Sequence, residues 1–368
     1  MEKFTMNDTT IAFIGLGLIG GSLAKGIKKA RPDIRIMAYM RTRSKLEQAK
    51  KDGIVDVILD GIDEQLKQCD LIFLCTPVEY NAQYLSKIRS YLKPGALITD
   101  VGSTKTDIHE EILRQGLTDC FVGGHPMAGS EKTGYENATD HLLENAYYIV
   151  TPPEGFNQNG CGYGNISPKY SENVKRIIAV AQTVGAIPLV LDYKEHDTVV
   201  AAISHLPHLV ASSLVNLVKD SDSPAETMKQ VAAGGFKDIT RIASSSPEMW
   251  EQICMTNSEP IADMLERYID SLQDILSEIK GHQGNAIYKL FEKSRDYRNT
   301  ITDRAKGSVE PSYAFSVDMA DEVGAISTIA VILAAKGISI KNIGINNIGF
   351  DHRYFSHFLI LFFVHFQV

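Results

Sequence analysis

Cysteine is sparse in this chain. Cys69, Cys75, Cys120, Cys161 and Cys254 form no CxxC pair and no metal-type spacing. The pattern excludes a disulfide framework and a thiolate metal centre, and fits reduced thiols. Positive charge is also short: 37 Lys and Arg stand against 45 Asp and Glu, for a net charge of −8. That balance excludes the broad basic footprint that nucleic acid or an anionic membrane requires, so any basic site has to be local. The N-terminus, MEKFTMNDTTIAFIG, lacks a basic region followed by an apolar stretch and a cleavage site, so a cytoplasmic protein is expected. What is present is ordinary for a multidomain enzyme: 368 residues, 44% hydrophobic and 22% charged, enough for two or three cores.

From Thr10 to Asp192, short apolar runs rich in β-branched residues alternate with helical patterns, as in an α/β sheet covered on both faces. The expected strands are Thr10–Ile14, Arg35–Tyr39, Leu71–Cys75, Ala96–Asp100, Cys120–Val122, Tyr147–Val150 and Pro188–Leu191. Pro152–Lys169, rich in Gly, Asn and Pro, reads as a surface loop. After Tyr193 the pattern turns helical to about Arg304, with amphipathic stretches such as IADMLERYIDSLQDILSEIK. Such a block buries its apolar faces against a second copy, which predicts a homodimer. The expected organisation is a doubly wound domain over 1–193, an all-helical domain over 194–305 and a third α+β segment over 312–368.

IAFIGLGLIGGSLAKGI sets Gly15, Gly17 and Gly20 in GxGxxG spacing, directly after a strand and at the start of a helix. Gly15 permits a tight turn, Gly17 lets a pyrophosphate approach the backbone, and Gly20 lets helix and strand pack closely. With Leu16, Leu18 and Ile19 they form a dinucleotide-binding turn whose free N–H groups face phosphate. The second strand ends in Met40 and Arg41, followed by Thr42 and Arg43, without the acid that usually binds the adenosine ribose. NAD and NADP both remain open on this chemistry, and Arg43 reads equally well as a solvated charge. In open α/β sheets ligands bind at the carboxyl ends of the strands. Those ends here are Cys75-Thr76-Pro77, Asp100-Val101-Gly102-Ser103 and Gly123-Gly124-His125-Pro126. Thr76 and Pro77 fall where a turn borders the cofactor. His125 is a candidate general base, with Ser103 bonding it or the substrate. Each also has a plainer reading: Ser103 as a helix cap, His125 as a core histidine.

In the helical block, SHLPHL puts Ser204 where it can cap a helix whose first turn holds Pro207 and His208, a site for a carboxylate. His205 and His208 lack a third ligand nearby, and no metal is expected. Arg241 suits a two-bond grip on a carboxylate, or else a salt bridge with a surface acid. Trp250 is the chain's single tryptophan.

The stretches GLGLIGGSLAKGI, DVGSTK, VGGHPMAGSEKTG, ENAYYIVTP, EHDTVVAAISHLPH and GGFKDITRIASSSPEMW, spread from Ile11 to about Asp303, resemble the prephenate dehydrogenase family of tyrosine biosynthesis. The resemblance implies a Rossmann domain joined to an all-helical dimerisation domain, with the active site between them. It implies oxidative decarboxylation of prephenate to 4-hydroxyphenylpyruvate with NAD as hydride acceptor and no metal. His125 would accept the hydrogen bond of the ring hydroxyl, with Ser103 orienting that hydroxyl. Arg241, His208, Ser204 and Trp250 would receive the substrate, and Glu131 and Asp238 would gate access. Arogenate is the close alternative substrate. The segment from Tyr313 resembles the first half of an ACT domain, which implies a tyrosine effector. After about Asn347 the pattern departs from that module, so a truncated or altered C-terminus is expected. The apolar run Phe358–Phe366 is too short to span a bilayer and would be an aggregation hazard if unpaired. Two other readings compete: a β-hydroxyacid dehydrogenase, which needs a catalytic lysine in the helical block and gives GGHP and SHLPH no role, and a nicotinamide sensor without turnover.

Overall fold

The computed structural model describes residues 9–77, 80–130, 132–153, 168–301, 313–320, 324–336, 338–347 and 357–366. These fall into two units, Met1–Ala305 and Lys306–Val368. The first runs β1 (Thr10–Ile14), α1 (Leu18–Ala30), β2 (Arg35–Tyr39), α2 (Arg43–Lys51), β3 (Val57–Ile58), β4 (Leu71–Leu74), α3 (Asn81–Ile88) and β5 (Leu97–Asp100). It continues through α4 (Thr106–Gln115), β6 (Gly123–Pro126), β7 (Tyr147–Thr151), α5 (Pro168–Thr183) and β8 (Ile187–Val190). The helical block follows as α6 (Tyr193–Val200), α7 (Leu206–Ser221), α8 (Thr227–Val231), α9 (Gly234–Thr240), α10 (Pro247–Thr256), α11 (Ser258–Lys280) and α12 (Gly284–Thr300).

The strands β3-β2-β1-β4-β5 form one parallel sheet, and β6-β7-β8 a second, joined to the first by a bridge between Ile98 and Phe121. Period-two alternation sends successive strand residues to opposite faces. Ile11 and Phe13 join Leu23, Ile27 and Ile177 on one side, while Ala12 and Ile14 join Leu85, Ile108 and Ile112 on the other. Both faces are therefore covered, which is why the strands read as unbroken apolar runs. Phe13 stacks on Phe73 at 4.8 Å, and burying such a ring contributes roughly 1.5–3 kcal/mol.

The expected strand Cys120–Val122 is displaced: Cys120 ends a 3₁₀ turn and the ladder with β7 is carried by Gly123–Pro126. Glycine and proline are poor strand formers, so the sequence reading favoured the apolar residues before them. The glycines are there because neighbours press close. A Cβ on Gly124 would lie 2.8 Å from the Asp100 carbonyl, and one on Gly123 would collide with the Thr151 hydroxyl. The two-residue strand β3 was not expected at all. Of the expected loop, residues 154–167 lie outside the described residues, and Pro168 begins α5.

The second unit contains β9 (Tyr313–Ala320), α13 (Ala325–Ala335), β10 (Ile338–Asn347) and β11 (His357–Phe366). Its antiparallel sheet has the order β10-β11-β9. The apolar run Phe358–Phe366 is thus the central strand, hydrogen-bonded on both sides, and the hazard of an unpaired tail does not arise from it.

Candidate active site

Each glycine of the turn after β1 has a distinct steric situation. Gly15 has φ +96°, and a Cβ there would meet the Cys75 carbonyl at 2.5 Å. A Cβ on Gly20 would lie 2.8 Å from the Gly15 carbonyl, whereas one on Gly17 would meet nothing within 4 Å. Gly17 thus leaves open space beside the N-terminus of α1, whose first turn holds no acid. That is the arrangement a pyrophosphate needs, so the residues present fit a dinucleotide. Leu16 is buried in the core and offers only its backbone, Leu18 opens the helix, and Ile19 packs against the core. Thr76 donates to Asn81 Oδ1 at 3.1 Å, and Pro77 is exposed beside it. Arg41 lies over the Tyr80 ring, 5.3 Å from its centre. Arg43 is paired with Asp60 and, at 3.5 Å, with Glu47. One of the two arginines open to a 2′-phosphate is therefore engaged elsewhere.

The ends of β5 and β6 are knitted together by Asp100. Its carboxylate accepts from the Gly102 N–H at 2.9 Å, the Gly124 N–H at 3.2 Å and the buried ammonium of Lys105. This places His125 at the same sheet edge as Cys75 and Gly15. Ser103 is half-buried, and its hydroxyl makes no hydrogen bond among the described residues. The partner of His125 is instead His196 of α6: His125 Nδ1 lies 2.8 Å from His196 Nε2. His196 Nδ1 in turn lies 2.8 Å from Asp197 Oδ1. Asp197 also accepts from the Lys105 N–H at 2.8 Å and the Thr106 N–H at 2.7 Å.

The helical block meets this edge through a different helix start from the one expected. Asp192 caps α6, accepting from the N–H groups of Lys194 and Glu195. The helix then runs through a π-helical turn, Ala201–His205, into α7. Ser204 therefore caps nothing, and no free helix N-terminus faces His208. The Ser204 carbonyl instead accepts from His208 Nδ1 at 2.8 Å. Pro207 had suggested a first turn; the absent N–H is accommodated next to the π turn, where the regular bonding ladder is already broken. His205 Nδ1 accepts from Asn257, whose amide also donates to the Asp197 carbonyl at 2.9 Å. Among the described residues no three His, Cys, Asp or Glu are grouped to hold a metal.

His208 stacks on Trp250 at 3.8 Å, and His205 meets the same indole edge-on at 5.9 Å. The Trp250 Nε1–H is buried without a partner among the described residues. Arg241 is exposed, close enough to His208 to depress its pKa, and carries no ion pair among the described residues. The surface salt bridge considered for it is thus not made within them. Asp238 is exposed on α9, and Glu131 lies outside the described residues. A line of contacts consequently runs from His125 through His196, Asp197, Asn257, His205 and Trp250 to His208, with Arg241 near enough to act on His208 electrostatically.

Sequence reasoning missed His196, Asp197, Lys105 and Asn257. A signal existed for the first two: they occupy the buried stripe of α6 with Val200 and Ala201, positions where a helix normally carries apolar side chains. Burial dominates their electrostatics. It holds His109 and His125 well below the usual 6.5, lowers His196 and His208, and brings His205 to about 4. Burial would raise the Asp197 carboxyl, but the bonds from His196 and Thr106 outweigh it and the net shift is downward. Unfolded, these histidines take up protons near pH 6.5; folded, they stay neutral to lower pH. Stability should therefore fall as pH drops below about 6.5 and keep falling toward the folded-state values. We expect a lower Tm at pH 5.5 than at pH 7.5 in calorimetry, and an unchanged Tm would contradict neutral burial.

Comparison with known proteins agrees with this geometry. Residues 23–160 match the model for the prephenate dehydrogenase nucleotide-binding domain, and residues 192–293 the model for the prephenate dehydrogenase dimerization domain. The chain is 38% identical to the prephenate dehydrogenase of Bacillus subtilis (strain 168) over 335 residues, 90% of this chain and 86% of that one. Among solved structures, prephenate dehydrogenase from Aquifex aeolicus in complex with hydroxyphenyl propionate and NAD+ superposes with TM-score 0.71 at 30% identity, covering 80% of this chain and 98% of that one. Synechocystis arogenate dehydrogenase gives TM-score 0.67 at 28% identity, covering 79% and 99%. The descent of both halves of unit one is thereby settled: the chain belongs to the prephenate dehydrogenase family.

Proposed function

We propose that this protein is an NAD-dependent prephenate dehydrogenase, converting prephenate to 4-hydroxyphenylpyruvate in tyrosine biosynthesis. The observation that carries the assignment is the line of contacts joining His125, at the sheet edge beside the glycine turn, to His208 in the helical block, beside Arg241, a cation with no ion pair among the described residues. NAD, held by Gly15 to Gly20 with Thr76, Pro77 and Arg41 nearby, supplies the hydride acceptor when bound. His125, neutral at physiological pH, accepts the proton of the ring hydroxyl as hydride leaves the carbon bearing it. Carbon dioxide departs with its bonding pair left in the ring, which becomes aromatic, and the proton returns from His125 to the phenolic oxygen. No proton is gained or lost overall. Ser103, whose hydroxyl makes no hydrogen bond among the described residues, orients the substrate hydroxyl. Arg241 grips a substrate carboxylate, His208 and Trp250 line the side-chain end, Ser204 contributes through its bond to His208, and Glu131 and Asp238 gate access.

The test is absorbance at the reduced-nicotinamide band with prephenate or arogenate, NAD or NADP, with and without tyrosine. Turnover of prephenate with NAD is expected; NAD binding without turnover of either substrate would leave the sensor reading in its place. Arg241→Ala should raise KM for prephenate by about 10- to 100-fold, the worth of a charge-assisted bond of about 1.5–3 kcal/mol. Its kcat should change little, and an unchanged KM would remove Arg241 from the site.

The same reading makes the protein a cytoplasmic homodimer. The helix Tyr193–Ser221 is long and apolar enough, by length and composition, to cross a bilayer, yet its first turns carry His196 and Asp197 bonded into the nucleotide domain. Its exposed Ile203 and Leu217 fit a second copy, as do Met255 and Phe291. Tyrosine as an effector rests on the C-terminal βαββ unit, and the tyrosine arm of the assay decides it.

A further inference from the structure

We infer that Asp197 and His196 are positioning residues that hold His125 in the one tautomer able to accept the substrate's proton. The inference deepens the proposed reaction and rests on it for the identity of that proton, but the tautomer itself can be read without substrate.

The argument begins at Asp197. Its carboxylate receives the Lys105 and Thr106 N–H groups at the start of α4, and Lys105, the helix-capping residue, supplies no side-chain bond there. The helix terminus therefore favours the ionised carboxylate, and its net pKa shift is downward. An ionised carboxylate only accepts, so the His196 nitrogen 2.8 Å from it, Nδ1, must carry the hydrogen. His196 is neutral, because burial lowers its pKa despite the facing acid, so its Nε2 is a lone pair. The nitrogen facing that lone pair at 2.8 Å is His125 Nδ1, which must then be the N–H. His125 is neutral too, held so by burial together with His196, Lys105 and His205. Its Nε2 is therefore an acceptor. Each step follows from the one before, and the direction of the whole chain is set by one negative charge at its buried end.

Without that charge, two neutral imidazoles could be arranged in either direction. In the reverse order His125 Nε2 carries hydrogen and cannot take another proton. This explains why an acid and a histidine occupy the buried stripe of α6, where apolar side chains would pack at lower cost. A purely structural account remains, in which Asp197 only caps α4, and the substitution Asp197→Asn separates the two. Asp197 Oδ1 accepts from both the Lys105 N–H and His196, and Oδ2 from the Thr106 N–H; asparagine with its oxygen kept for Thr106 turns an N–H₂ toward His196 Nδ1. That reverses the chain and keeps the Thr106 half of the cap, at the loss of the Lys105 N–H bond.

The experiment combines kinetics, melting and histidine ring ¹⁵N NMR on the full chain, with His125 assigned from its absence in His125→Gln. In the unsubstituted protein His125 should show hydrogen on Nδ1, and in Asp197→Asn on Nε2. For Asp197→Asn, kcat should fall by about 10²- to 10⁴-fold, the scale of a lost proton acceptor, with KM for prephenate and NAD affinity nearly unchanged and Tm lowered only by the lost Lys105 cap bond. His196→Gln, which keeps an oxygen to accept from His125 Nδ1, should retain more activity than His196→Leu. This pair decides the matter if Asp197→Asn fails to fold. Hydrogen on Nε2 of His125 in the unsubstituted protein overturns the inference, as does kcat within about threefold in Asp197→Asn, or equal loss in the two His196 variants. If prephenate is not turned over at all, the reaction assignment fails while the NMR result still decides the tautomer.

Discussion

Replacing His125 by asparagine is expected to lower kcat for prephenate by about 10²- to 10⁴-fold, the contribution of a positioned proton acceptor, while leaving Tm and NAD affinity close to their original values. Asparagine is chosen because its amide can donate to His196 Nε2, as His125 Nδ1 now does at 2.8 Å. It cannot accept a proton at the far side of the ring. KM should change little, since in the proposed site the substrate carboxylate is taken by Arg241 rather than by His125. The pH profile gives a second readout. The neutral ring is the active form, so rate is lost as pH falls through the His125 pKa. Burial, His196, Lys105 and His205 place that pKa well below 6.5. The acid limb of kcat/KM should therefore lie below pH 6.5 in the unsubstituted protein, and the variant's residual rate should lack it. Retention of more than about a tenth of kcat would remove His125 from the proton-transfer role.

How much of this was legible in the sequence depended on how local each determinant is. The glycine turn could be read because its requirements are local: Gly15 at positive φ, Gly17 beside open space, Gly20 against the Gly15 carbonyl. The parallel strands could be read because both faces are buried, giving continuous apolar runs. β6 was misplaced because its Gly-Gly pair answers to Asp100 and Thr151, partners distant in the chain. Ser204 reads as a possible cap because Pro207 mimics a first helical turn; the capping residue is Asp192, and the π turn absorbs the proline.

The site divides the same way. His125 and Arg241 announce themselves as ionisable residues at a strand end and in a polar helix. His196 does not, since its meaning lies in a contact with a residue 71 positions away. Adjacent residues on a helix do not normally face each other, so the His196–Asp197 pair carried no signal by spacing alone. Arg43 is a residue the sequence leaves open between a phosphate role and a solvated charge. Nothing in the sequence ties it to Asp60, and that exposed pairing favours the second reading.

The largest effect on stability is expected from Lys105→Met. The side chains of Lys105 and Asp100 are both fully buried, at 0% exposure. Asp100 also accepts from the Gly102 and Gly124 N–H groups, tying the ends of β5 and β6 together. Methionine fills the volume of the lysine stem, so the change removes charge and leaves packing. The remaining carboxylate would be buried with only amide partners, and breaking such a pair costs about 3–5 kcal/mol. For a chain of this size, that is a Tm loss on the order of 10 °C. Adding Asp100→Asn should recover part of the loss, because the amide keeps an acceptor for one N–H and no charge is stranded; the two substitutions are in contact and should be strongly non-additive. The pair also reaches the site. Lys105 is one of the charges that depress His125, His196 and His109. Its removal favours protonation of those rings, so the acid limb of kcat/KM should move upward in pH. A Tm within about 2 °C of the original would mean that water or a rearranged partner already compensates Asp100. Loss of stability without movement of the acid limb would show that the pair braces the sheet edge but leaves the proton acceptor untouched.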